Sequence, residues 1–75
     1  MNKRQTVLQH MGIAGYNSDR RAFVRLYAEN RISRADADKA WLDGQAAYSA
    51  KVRRLEAEGM TTSDAQAVAD AEVMS

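Results

Sequence analysis

From Ser33 to Glu58 the chain reads as one uninterrupted helix, because Ala37, Trp41, Gly44, Tyr48, Val52 and Leu55 recur at spacings of three and four. An α-helix turns once in 3.6 residues, so these positions fall on one narrow stripe. Ser33 followed by Asp36 is a capping pattern at the start. Gly59 is a terminator at the end, since glycine accepts the left-handed conformation common just past a helix. At 1.5 Å per residue, about 25 residues span roughly 37 Å. That exceeds the width expected of a small domain, so the stripe needs cover along its whole length. The spacing also resembles a short antiparallel coiled-coil seam, interrupted by Gly44 and Lys51. Trp41, Gly44, Tyr48, Val52 and Leu55 are therefore the expected interface of a homodimer, with core packing of Trp41 and Tyr48 as the plainer reading. Gly44 removes a side chain mid-helix, which implies either close approach of a neighbouring helix or a local kink.

Shorter helices are predicted on either side. Residues 3–11, with Val7, Leu8 and Met11 on one side, form the first, and a break follows over Gly12, Gly15, Tyr16 and Asn17. Asn17 or Ser18 then caps a second helix that runs to about Asn30, with Asp19 in its first turn. Phe23, Leu26 and Tyr27 make its buried face, and Arg21 and Arg25 point outward. Thr61 and Asp64 repeat the capping pattern and open a weakly apolar fourth helix over about 62–73, lined by Ala65, Val68, Ala69 and Val73. That segment, 62–75, is expected to be weakly ordered or to fold only when docked. The expected fold is all-α: a single domain, 1–75, built as a small bundle of three to four helices around a long central one at about 34–58.

Composition narrows the picture further. The 75 residues include no proline and no cysteine, which excludes disulfides and cysteine-based zinc sites. No apolar run approaches the roughly 18 residues of a membrane span, and Lys3 and Arg4 are not followed by the apolar segment of a signal peptide. The expectation is a soluble cytoplasmic protein. Many apolar positions are alanine, which buries little area, so the core is marginal against chain entropy, and small unstapled domains often respond by oligomerising. Net charge is +1, but residues 1–34 carry seven Lys or Arg against two Asp or Glu, and residues 35–75 carry four against eight. Such a division marks either an electrostatic binding face or two halves that neutralise each other internally.

Catalytic constellations are poorly supported. His10 is the sole histidine, so a histidine-based metal cluster cannot form within one chain. Asp36 and Asp38 are two apart and point in different directions on a helix. The segment GIAGYNS lacks phosphate-loop spacing, and no GxSxG elbow is present. No catalytic residue, metal, cofactor or small-molecule substrate is predicted. Nucleic-acid binding has more in its favour. FVRLYAENRISRADADKAW reads as helix, turn, helix, with Arg34, Asp38 and Lys39 placed to reach bases and Arg20, Arg21 and Arg31 to contact phosphates. Against it stand Asn30 and Arg31 in place of the usual turn glycine, the charges of Asp36 and Asp38, and the length of the second helix.

Within residues 10–45, the pattern G-I-A-G-Y, then D-R-x-x-F-x-R-L-Y-x-E-N-R-I-S, then A-W/F-x-x-G-Q resembles small helical proteins encoded by temperate phages and prophages. The resemblance implies a bacterial host cytoplasm and a protein that regulates transcription or blocks a host protein. It brings no catalytic motif and no site residues. The resulting expectation is a non-catalytic binding module that modulates a host or phage protein through an acidic surface on that partner. Tyr16, Arg20, Arg21, Arg25, Arg31 and Arg34 are the candidate contacts, because the planar guanidinium fork suits carboxylates. A helix-turn-helix-like DNA-binding regulator using the same basic half is the alternative.

Overall fold

The computed structural model describes residues 2–72, and these form four helices: α1 (Lys3–Tyr16), α2 (Arg20–Glu29), α3 (Arg34–Ala57) and α4 (Thr62–Ala71). Among the described residues there is no strand. The architecture is the expected all-α bundle with one long helix. Val73, placed in the fourth helix from the sequence, lies outside the described residues.

Each helix begins with a side chain that satisfies a free backbone donor. Asn2 accepts from Gln5 N at 2.8 Å, Asp19 from Ala22 N at 3.1 Å, Ser33 from Asp36 N at 3.1 Å, and Thr61 from Asp64 N at 3.1 Å. The cap of α2 is thus Asp19, a correction to Asn17 or Ser18. Those two residues instead close α1, with Ser18 at φ 54° and Asp19 N donating to Ala14 O at 2.8 Å. The end of α3 uses the same arrangement: Gly59 adopts φ +106°, and Met60 N donates to Leu55 O at 3.1 Å.

The first helix is longer than predicted. It continues through Gly12 and Gly15, which were expected to break it. The reason is tertiary. Gly15 on α1 and Gly44 on α3 face each other's backbones, and the two helices cross there without intervening side chains. A Cβ at Gly44 would overlap Gly12 O and lie 2.6 Å from Tyr16 N; one at Gly15 would overlap Trp41 O and lie 3.0 Å from Trp41 Cα. The helical penalty of glycine, about 1 kcal/mol each, is offset by the packing this approach allows. Gly44 therefore marks close approach. The side chain of Gln45 reaches across the same crossing and donates to Gly15 O and to Ser18 Oγ.

The molecule measures 43 × 20 × 18 Å, so its long axis is nearly that of α3, about 36 Å for 24 residues. Two hydrophobic clusters lie along that rod. The larger joins Val7, Met11 and Ala14 of α1, Phe23 of α2, Ile32 of the linker and Ala37 of α3, with Trp41 packed against it. The smaller joins Val52 and Leu55 of α3 to Ala65 and Ala69 of α4, flanked by Tyr48 and Val68. Tyr16 and Tyr48 connect them edge to face at 5.5 Å, and the Tyr16 hydroxyl donates to Ala69 O at 3.2 Å.

This arrangement changes the reading of the α3 stripe. Trp41 packs on Phe23, Gly44 on α1, Tyr48 on Tyr16, and Val52 and Leu55 on α4. The stripe is covered within one chain, by α1 with α2 packed beside it over its first half and by α4 over its second. The premise that led to a dimer seam there, a rod with no cover of its own, does not hold.

Candidate interaction surface

The exposed arc of α2 follows from its periodicity. Phe23 turns inward and is 4 % exposed, and Leu26 is half-buried beside it. Arg20, Val24 and Tyr27, at spacings of four and three, then share a neighbouring face, and Arg21 and Arg25 continue the exposed arc. Tyr27, expected on the buried face, is 40 % exposed, and Val24 is 53 % exposed. Between this face and the start of α3 lies a hollow of about 200 Å³, lined by Phe23, Val24, Tyr27 and Ala37, with Arg20, Arg34 and Asp38 at its rim. Leu42 and Met60, the other exposed large apolar residues among the described ones, do not line it.

Arg20 is held without a carboxylate. Its guanidinium carbon sits 4.5 Å from the Phe23 ring centre and 4.9 Å from that of Trp41, and those two rings pack edge to face at 5.2 Å. Stacking on aromatic faces attracts the cation and restricts its rotamers, while the in-plane N–H donors stay open to solvent.

Ion pairing is uneven across the molecule. Arg4 pairs with Asp36, Arg34 with Asp38 at 3.8 Å, Lys39 with Asp43 at 2.8 Å, and Lys51 with Glu72 at 2.8 Å. No ion pair among the described residues involves Arg20, Arg21, Arg25 or Arg31. Within the basic half, Arg4 and Arg34 are thus paired, while the arginines of α2 and Arg31 in the linker after it are not.

The sequence-derived site residues divide accordingly. Arg20 and Arg34 come together at one hollow. Arg21 and Arg25 are exposed on the same helix. Arg31 sits apart, beside Lys3 and Arg4 at the far end of α2. Tyr16 is corrected from an exposed loop contact: it is 7 % exposed and forms part of the joint between the two clusters. Val24 and Tyr27 were missed as contacts. Their spacing from Arg20 was the available signal, but assigning Tyr27 to the core hid it.

A larger hollow of about 570 Å³ has a mixed lining that includes Tyr16, Ser18, Asp19, Tyr48, Ala69 and Asp70. There the Tyr48 hydroxyl donates to Asp70 Oδ1 at 2.8 Å, and this hydrogen bond, with burial and the Asp70 charge, raises the tyrosine pKa. The pKa of Lys39 is likewise raised, by its hydrogen bond to Asp43 and that residue's charge. Both shifts move away from neutrality, opposite to what a general acid or base requires. Among the described residues no group of three His, Cys, Asp or Glu is placed to hold a metal ion, and no helix is long and apolar enough to cross a membrane. No family model, curated protein or solved structure matches this chain.

Proposed function

We propose that the protein is a non-catalytic binding module whose α2 face engages an acidic surface on another protein. One observation carries the reading: among the described residues the arginines of α2 have no carboxylate partner, while the cations at the start of α3 do. Unpaired arginines on a short, rigid helix can form charge-assisted, bidentate contacts with a partner's carboxylates. The resemblance of residues 10–45 to small phage and prophage proteins supplies the setting, in which the partner is a host or phage protein and binding modulates it. Self-association through α3 is not part of the reading, because that stripe is occupied.

DNA binding by α3 as a recognition helix is disfavoured. Its first turns present Asp36, Asp38 and Asp43, and the cations that would approach bases are paired with them. The deciding experiment is affinity capture from bacterial lysate with wild type and with Arg21→Glu/Arg25→Glu. Loss of specific partners in the charge-reversed form supports the reading; identical recovery by both forms refutes it. Retardation of duplex DNA that weakens linearly on a log–log salt scale would instead favour the regulator.

A further inference from the structure

The geometry points to the hollow between α2 and α3 as the seat of an acidic amphipathic helix from a protein partner. This inference rests on the binding-module reading and specifies its site and occupant. Three features of the hollow select that occupant. Most of its lining is apolar or aromatic: Phe23, Val24, Tyr27 and Ala37, beside Arg20, Arg34 and Asp38, border about 200 Å³. A cavity of about 150 Å³ suffices for benzene, so this one takes a single large apolar side chain. Its walls are two helices, a form that receives the apolar ridge of a third rather than an added strand.

The third feature is charge. Asp38 is the sole carboxylate on the lining, and Arg34 pairs with it. Arg20, stacked on Phe23 and Trp41, has no ion-pair partner among the described residues. A ligand helix with its apolar anchor in the hollow and an Asp or Glu one turn away meets a guanidinium already held in place, which lowers the ordering cost of binding. Further carboxylates along that helix meet Arg21 and Arg25. A nucleic acid would satisfy the arginines but leave the apolar hollow unfilled.

The test uses a randomised helical peptide library displayed on yeast, sorted against the intact protein. Recovered peptides are expected to share a large apolar residue with Asp or Glu one turn away. On binding such a peptide, backbone amide signals of 20–28 and 34–38 are expected to shift. Val24→Glu and Arg20→Gln each alter an exposed side chain, and circular dichroism of both variants is the control for folding. Each is expected to weaken the peptide about tenfold or more, as does exchanging the peptide's carboxylates for amides.

Failure to enrich peptides over an unrelated bait, enrichment without acidic residues, or shifts confined elsewhere would overturn the inference. So would sedimentation showing that copies of the protein pair through this groove, or an oligonucleotide that shifts the same amides while the peptides do not. The two ideas fail separately. Lysate partners lost with Arg21→Glu/Arg25→Glu but retained with Val24→Glu leave the binding module standing and remove the hollow. Groove binding of acidic peptides with unchanged lysate capture does the reverse.

Discussion

Replacing Gly44 with alanine sets two effects of opposite sign against each other. Alanine is the better helix former by about 1 kcal/mol, and Gly44 lies mid-helix, so propensity alone predicts stabilisation. Packing predicts the opposite. The new methyl would overlap Gly12 O and lie 2.6 Å from Tyr16 N and 3.0 Å from Gly12 C. All three atoms are backbone, held in the hydrogen-bonding ladder of α1, and cannot rotate aside. Relief requires α1 and α3 to separate by roughly 1 Å, which loosens contacts along the whole crossing, since dispersion attraction falls steeply with a gap of that size. Overpacking a well-packed site costs about 1–3 kcal/mol and occasionally more, and a rigid backbone obstacle puts this site at about 3–4 kcal/mol, against which the propensity gain of about 1 kcal/mol is set. The net expectation is a loss of about 2–3 kcal/mol. In a domain of this size that lowers the melting temperature by roughly 10–20 °C. Urea and thermal unfolding followed by circular dichroism would measure it. A variant as stable as wild type, or more so, would refute the claim that α1 and α3 touch through their backbones.

Other outcomes follow from the same structure. Gly59→Ala has open space around the new methyl, so only the left-handed backbone resists it, and the expected loss is about 1–2 kcal/mol in the same unfolding experiment. Tyr16→Phe removes the bond to Ala69 O and should cost about 1 kcal/mol, with hydrogen exchange accelerated in α4 well before α1. Alkaline titration should reveal Tyr48. Its pKa is raised on folding, so its contribution to stability is fully present below the unfolded tyrosine value of about 10 and disappears as pH rises through the folded value. Tyr48→Phe should therefore flatten that alkaline decline, as read from unfolding free energy against pH.

Local signals in the sequence located α3 and α4 well. Ser33, Thr61 and Gly59 act through atoms within a few residues of themselves, and they do so in the structure as the spacing implied. The misread positions depend on distant atoms. Gly12 and Gly15 look like punctuation until Trp41 and Gly44, some thirty residues away, are brought against them. Tyr16 looks like a loop residue until α4 supplies the carbonyl of Ala69. Of the candidate surface, the arginines of α2 were readable as an exposed row. The hollow was not, because it exists only where α2 meets the start of α3, and its lining mixes side chains that periodicity alone divides between core and surface.

The two hydrophobic clusters, strung along α3 and fastened together by Tyr16 and Tyr48, give the molecule a modular mechanics. Damage should stay near where it is inflicted. A bulky residue at Ala65 or Ala69 would unseat α4 while Met11 and Phe23 remain packed at the opposite end. The arginine face of α2 belongs to that opposite end, so its shape is insulated from wear at the carboxyl-terminal helix. Substitutions can accumulate in α4 at little consequence to whatever the amino-terminal half grips.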